Sequence, residues 1–334
     1  MRVDKSEPGN HRAGRMRAAR PLLAAATALR FLTALPLPGA SHGGGGELAA
    51  AVAWFPLAGA VLGGALVATD WACGRAFPRV SHFLSAALVL AVYALLTGGL
   101  HLDGPVLAPP YQSFIGLYPI PLVHGMTIGE LAQLFNGLFD IGADLTVVPM
   151  RGWTRRMIWQ ETGLPWVRPS PNIPTMLTPF YYAATGPLDG TNLWNGVATT
   201  SRFQVVLAPW IDGARLAARL NRRGLPGVRF SPSAVPHPRT GRVWRGVRLH
   251  VTDRAAFRPA TTTVYVLAEI RDLHPGQLRF RLPRRGRALF DVVWGTKQVR
   301  VDLTRGLPAE AIVARWQPAL RRFEALRSRY LLYE

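Results

Sequence analysis

Hydrophobic and polar positions alternate on two different plans along this chain, and the change falls at residues 98–107, GGLHLDGPVL. Before it, residues 48–69 run for 22 positions without a charge, and residues 83–100 for 18 more. At about 1.5 Å of rise per residue, either can cross a hydrocarbon layer roughly 30 Å thick as a helix. Gly59, Gly63 and Gly64 suit close helix–helix contact in lipid. A pair of buried core helices is the alternative reading.

After the seam the pattern is that of a soluble α/β domain. The alternation predicts strands over 114–120, 145–150 and 246–252. Apolar positions three and four apart predict a helix over 127–139, with Thr127 as N-cap and Glu130 at the capping-box position. Two more helices are expected, over 262–272 and as one long element over 309–333. Pro-rich loops are expected over 167–174 and 230–238. The fold class is thus α/β (mixed α+β), a soluble C-terminal domain preceded by an α-helical membrane segment with two transmembrane helices.

Charge refines this picture. The net charge is +20, with nine Lys and Arg against five Asp and Glu before residue 104 and thirty against fourteen after it. Such a balance attracts anionic partners: nucleic acid, anionic lipid or a wall glycan. The arginines are dispersed, as at Arg215, Arg219, Arg222, Arg223 and Arg229, with no aromatic-interleaved motif, which argues against nucleic acid. Lys occurs only at Lys5 and Lys297, so much of the basicity reads as coding bias. The single Cys73 excludes an intrachain disulfide.

Residues 1–20 read as a basic disordered tail. Lys5, Arg12, Arg15, Arg17 and Arg20 precede a short apolar run that Arg30 interrupts, which is a poor signal peptide. Positive charge before the first span predicts a cytoplasmic N-terminus. Two spans then return residues 105–334 to the cytoplasmic side of the plasma membrane.

Three stretches, ALRFLTALPLPG at 28–39, AVAWFPLAGAVLGG at 51–64 and LLTGGLHLDG at 95–104, resemble the start of cobalamin synthase, the membrane-embedded adenosylcobinamide-GDP ribazoletransferase. In that family HLDG opens an acidic run that holds Mg²⁺. Here Asp103 is followed by Pro105, Val106, Leu107, Ala108 and Pro109, with no carboxylate. The resemblance therefore implies a truncated segment over 21–104, with Asp103 as the remnant of a metal site. No cofactor is expected, and Mg²⁺ only if that segment were active.

Loops carry the candidate chemistry of the second part. RPSPNIPT at 168–175 and DGTN at 189–192 offer amides, carbonyls and hydroxyls, and Trp153, Trp159, Trp166, Tyr181, Tyr182 and Trp210 could stack on sugar faces. From composition alone, turn-building by Pro and Asn and core packing of most of these aromatics are the favoured explanation. FIGLYPIPLVHGMTIGELAQLFN, IGADLTVVPMRGW, TGLPWVRPSPNIPT, LAPWID, GVRLHVTDRAAFRP and ALRSRYLLY resemble the C-terminal part of the NamZ-like exo-β-N-acetylmuramidases, over 105–334. The resemblance implies a glycosidase ancestry and a muramyl sugar or peptidoglycan fragment as ligand. It implies contacts from His124, Asn172, Asp189, Thr191 and Asn192, with Asp189 the catalytic candidate. The family's EGTN is DGTN here, and its GRGT-like turn is Gly196-Val197-Ala198-Thr199. The Rossmann-like half that precedes this region in the family has no counterpart, so weak or no turnover is expected. The alternatives are a truncated ribazoletransferase, a membrane-tethered glycan-binding module, or a fusion without a dedicated function.

Overall fold

The computed structural model describes residues 101–334 apart from 114 and 284. Both sequence-predicted spans lie outside the described residues, and among those described no helix is long and apolar enough to cross a membrane.

The described part opens with β1 (Asp103–Val106), paired antiparallel to β2 (Pro121–Val123) with Asp103 opposite Val123. Helix α1 (Ile128–Leu138) follows, and its capping box forms as the sequence predicts: Thr127 Oγ1 accepts from Glu130 N, and Glu130 Oε2 accepts from Thr127 N at 2.7 Å. After a long irregular stretch come α2 (Thr178–Thr185), β3 (Val205–Ala208) and α3 (Gly213–Arg222). The hairpin of β4 (Val228–Pro236) and β5 (Val243–Val251) completes an antiparallel sheet of order β3-β5-β4. Helices α4 (Pro259–Leu273), α5 (Leu289–Val293), α6 (Gln298–Thr304), α7 (Ala309–Ala314) and α8 (Gln317–Arg327) finish the chain.

Two apolar clusters hold these elements. The larger joins the sheet (Val206, Val247, Leu249) to α3 (Leu216, Leu220), α4 (Val264, Leu267) and the α5 region (Phe290, Trp294). Burial of such side chains stabilises by about 1.5–3 kcal/mol each. Helix α3 sits so close to β5 that a Cβ on Gly213 would stand 2.1 Å from Gly246 O, and β3 so close that one on Gly246 would stand 2.1 Å from Val206 O. The smaller cluster sets Leu131, Leu134 and Phe135 of α1 against Ile120, Met126 and Phe323.

Several expected elements are corrected. Of the strand expected over 114–120, the described residues 115–120 form none; Ser113 and Gly116 make an isolated bridge. Pro119 and Pro121 lack the ladder donors, and Tyr118 turns inward to Phe135 and Phe139, at 4.3 and 4.4 Å between centroids. Residues 145–150 are irregular, because Val147 packs on Gly129 and Met150 N donates to Tyr333 Oη at 2.9 Å instead of to a ladder. The single helix over 309–333 is three pieces, α7, α8 and a 3₁₀ turn at Ser328–Tyr330, since Pro318 can only start a helix there. The loop expected over 230–238 is mostly β4, whose Pro232 and Pro236 are tolerated on an edge strand.

Candidate functional site

A cleft of about 470 Å³ opens where the start of β1, the end of β5, the first turn of α4 and the 3₁₀ turn Trp159–Thr162 converge. Its lining mixes three carboxylates (Asp103, Glu161, Asp253) with His101 and three guanidinium groups (Arg156, Arg254, Arg258).

Asp103 is its most constrained member. Helix α4 begins at Pro259, and its own N-cap residue, Arg258, has no side-chain cap bond. Asp103 supplies the cap from outside: Oδ2 accepts from Thr261 N at 2.9 Å, and Oδ1 from Thr261 Oγ1 at 2.7 Å and Gly104 N at 2.9 Å. A carboxylate there also meets the positive end of the helix dipole. Burial pushes its pKa up, and these hydrogen bonds oppose the rise. Gly104, at φ +83°, is required by the same junction, since a Cβ would meet Leu122 Cβ at 2.9 Å and Ala260 Cβ at 3.0 Å.

The turn after β5 is tied by its own side chains. Asp253 Oδ1 accepts from Ala255 N at 2.9 Å and Ala256 N at 3.1 Å. Arg258 Nη1 donates to the carbonyls of Ala255, Ala256 and Phe257. Burial lowers the Arg258 pKa, with Asp103 opposing. Burial, then the Arg258 charge, lower that of His101. Arg254 Nη1 donates to Gln160 Oε1 at 2.8 Å, and its guanidinium lies 5.9 Å from the Phe180 ring centroid. Glu161 Oε2 accepts from Ile158 N at 2.9 Å. The arrangement suits an anionic, hydrogen-bonding ligand: three guanidinium groups line the cleft, and each carboxylate accepts from at least one backbone N–H.

Of the sequence-predicted residues, Asp103 alone lines this cleft. His124 is buried outside the lining, 3 % exposed; its Nδ1 accepts from Met126 N at 3.2 Å, so the ring proton belongs on Nε2, which has no partner among the described residues. Thr191 Oγ1 donates to Leu188 O at 2.7 Å and accepts from Leu193 N at 3.2 Å. Asn192 pins the 277–279 segment, donating to Gln277 O at 2.8 Å and accepting from Arg279 N at 2.9 Å. Asp189 is exposed; neighbouring protein still raises its carboxyl pKa, with Arg281 opposing. Asn172 is exposed in a turn whose N–H meets Ser170 Oγ. The structure therefore gathers Asp189, Thr191 and Asn192 in one turn but brings neither His124 nor Asn172 to it. Asp103, with its oxygens occupied, does not fit a Mg²⁺ site, and no acidic or His/Cys cluster of metal-binding size occurs among the described residues. Sequence reasoning missed His101, Asp253, Arg254 and Arg258. The TDRAAFRP stretch between a strand and a Pro-started helix was the available signal.

Comparison with known proteins places this geometry. The family model for exo-β-N-acetylmuramidase NamZ, C-terminal, matches residues 180–333, and its N-terminal counterpart matches 91–177. The cobalamin-5-phosphate synthase model matches 24–106, so residues 91–106 fall within both kinds of match. A peptidoglycan β-N-acetylmuramidase NamZ of Bacillus subtilis (strain 168) is 44% identical over 241 residues, 71% of this chain and 57% of that protein. An adenosylcobinamide-GDP ribazoletransferase of Roseiflexus sp. (strain RS-1) is 38% identical over 77 residues, 23% of this chain and 28% of that protein. A crystal structure of a DUF1343 family protein from Bacteroides fragilis NCTC 9343 superposes with TM-score 0.67 at 33% identity, over 72% of this chain and 64% of that one. The chain thus spans less than two thirds of the length of these relatives.

Proposed function

We propose that this chain, which is similar to the exo-β-N-acetylmuramidase NamZ family over residues 91–333 and to cobalamin-5-phosphate synthase over 24–106, binds the acidic amino sugar of peptidoglycan fragments in the cleft beside Asp103 and turns it over slowly or not at all. The observation that carries the reading is the joint presence of Arg156, Arg254 and Arg258 in one cleft. A muramyl sugar bears a lactyl carboxylate, and a guanidinium fork matches it. The partner named for the B. subtilis relative supports this ligand class.

Slow turnover follows from how the carboxylates are used. Glycoside hydrolysis usually needs an acid and a base or nucleophile about 5–10 Å apart on either side of the scissile bond. Both oxygens of Asp103 are held by Thr261 and Gly104, and Asp253 and Glu161 each cap backbone N–H groups. A carboxylate held at both oxygens, as in Asp103, is poorly placed to exchange protons with a glycosidic oxygen, and Asp253 Oδ1 and Glu161 Oε2 are tied to backbone N–H groups. The apolar segments 48–69 and 83–100 would tether the module to the plasma membrane with its C-terminal part on the cytoplasmic side, where recycled fragments rather than intact wall are the ligands.

The test is release of chromophore from a chromogenic N-acetylmuramide by the purified full chain. The reading expects no release above background. Rapid release abolished by Glu161→Gln or Asp253→Asn would replace it with an active hydrolase at the same cleft.

A further inference from the structure

Next to the candidate cleft lies a second and larger depression, about 790 Å³, of opposite character. Its walls are Val147, Val148, Met150, Trp153, Trp159 and Leu164. Its rim is left open: Val148 is 83 % exposed and Leu164 57 %, and Val167, beside it through the Trp159–Trp166 ring contact at 5.7 Å, is 77 % exposed. Apolar side chains so exposed, on one irregular segment of 145–168, are not a core feature.

We propose that this face rests on an anionic lipid bilayer. Three features select a bilayer as its occupant. The apolar tips stand on loops rather than in a regular helix groove, so they can enter a headgroup layer without a complementary protein surface. Tryptophans Trp153, Trp159 and Trp166 occur beside them, and indole combines an apolar ring with one N–H donor, which suits the membrane interface. Arg151 and Arg168 flank the apolar tips in sequence and are exposed, placing fixed positive charge where lipid phosphates would lie. The acid in the wall, Glu161, is turned to Ile158 N. The uncharged stretch 83–100 also ends one residue before His101, so any bilayer that it enters lies within reach of this domain.

Contact of this kind would hold the neighbouring cleft close to the membrane surface. It does not depend on the cleft binding a sugar, and its failure would leave that reading intact.

The experiment uses the full chain with Cys73→Ser and a nitroxide on Val148→Cys or Val167→Cys, mixed with vesicles of phosphatidylcholine alone or with phosphatidylglycerol. With phosphatidylglycerol both labels are expected to gain oxygen collisions and lose those with a water-soluble nickel chelate. Arg151→Glu with Arg168→Glu should reverse the change, while the thermal transition of the chain stays cooperative. Labels that remain open to nickel on anionic vesicles would overturn the proposal. So would labels shielded equally in detergent and in both lipids, the signature of a face covered by protein, whether a second copy or another part of this chain.

Discussion

Asp103 and Thr261, 158 residues apart in sequence, are joined at both oxygens of one carboxylate. Asp103, three residues before the end of the cobalamin-5-phosphate synthase match, thus caps the first turn of α4, the longest helix among the described residues. The described residues of the seam, 101–107, belong to the fold of the C-terminal part: Asp103 opens β1, and Gly104 fits only because it lacks a Cβ.

Removing that cap should cost stability. Asp103→Ala is expected to destabilise by about 1–3 kcal/mol, the range for losing an N-cap or a charge-assisted hydrogen bond at a buried site. Asp103→Asn should cost less, since its amide oxygen can still accept. Urea unfolding reads this as a lower midpoint at unchanged slope. An unchanged midpoint for Asp103→Ala would show that α4 does not need the contact.

Acid should loosen the region around α1 through His124. Burial, then the Arg327 charge, lower its pKa to about 4 from 6.5, with Glu130 opposing. The unfolded state therefore binds a proton that the folded state refuses. The stability this represents is whole above pH 6.5 and drains away as pH falls toward 4, by roughly 3 kcal/mol in all. Asp103 has a raised pKa and so contributes with the opposite slope, over a window beginning near the usual carboxylate value. The difference between the native chain and His124→Gln isolates the histidine. The native chain should lose stability relative to the variant between pH 6.5 and 4, and parallel curves would contradict the assignment.

The knot around Glu130 should be the costliest polar feature to cut. Glu130 is fully buried, and its carboxylate accepts from Arg155 Nη2 at 2.5 Å and from Leu332 N at 2.7 Å. Burial, the largest single influence, would raise its pKa, and the hydrogen bonds from Arg155, Thr127 and Leu332, with the Arg155 charge, together hold it low. Arg155 also donates to Gly125 O at 2.9 Å and Tyr333 O at 3.0 Å. Arg155→Met should cost about 3–5 kcal/mol by stranding a buried charge, and pairing it with Glu130→Met should recover part of that. A double-mutant cycle without coupling would count against the network.

The DGTN turn should matter for folding more than for ligand. Asn192→Ala releases two hydrogen bonds to 277–279 and is expected to cost about 1–2 kcal/mol while sugar affinity holds. A tenfold fall in affinity with an intact fold would return Asn192 to the binding site.

Much of this was legible in local pattern. The capping box at Thr127 and Glu130 predicted α1 to within a residue, because the signal lies in four adjacent positions. Helix α4 extended the predicted 262–272 back to Pro259, a proline being well suited to the first turn. Helix α3 was readable and passed over: Asp212 caps it, and Leu216 and Leu220 repeat at the helical spacing. Strand β4 was hidden by its prolines, whose cost disappears only when the edge position is known. The cleft was harder to read. Its charges come from 101–103, 156–161 and 253–258, and only the pairing of β1 and the capping of α4 bring them together. A family resemblance pointed instead to DGTN, whose Thr191 and Asn192 side chains are engaged with the main chain.

The most direct test of the account is calorimetric titration of the full chain with N-acetylmuramic acid and, in parallel, N-acetylglucosamine, which lacks the lactyl carboxylate. The account predicts saturable heat with the acid, much weaker heat with the neutral sugar, and loss of the preference in Arg254→Ala. Flat heats with both, or equal affinity for the two sugars, would contradict it.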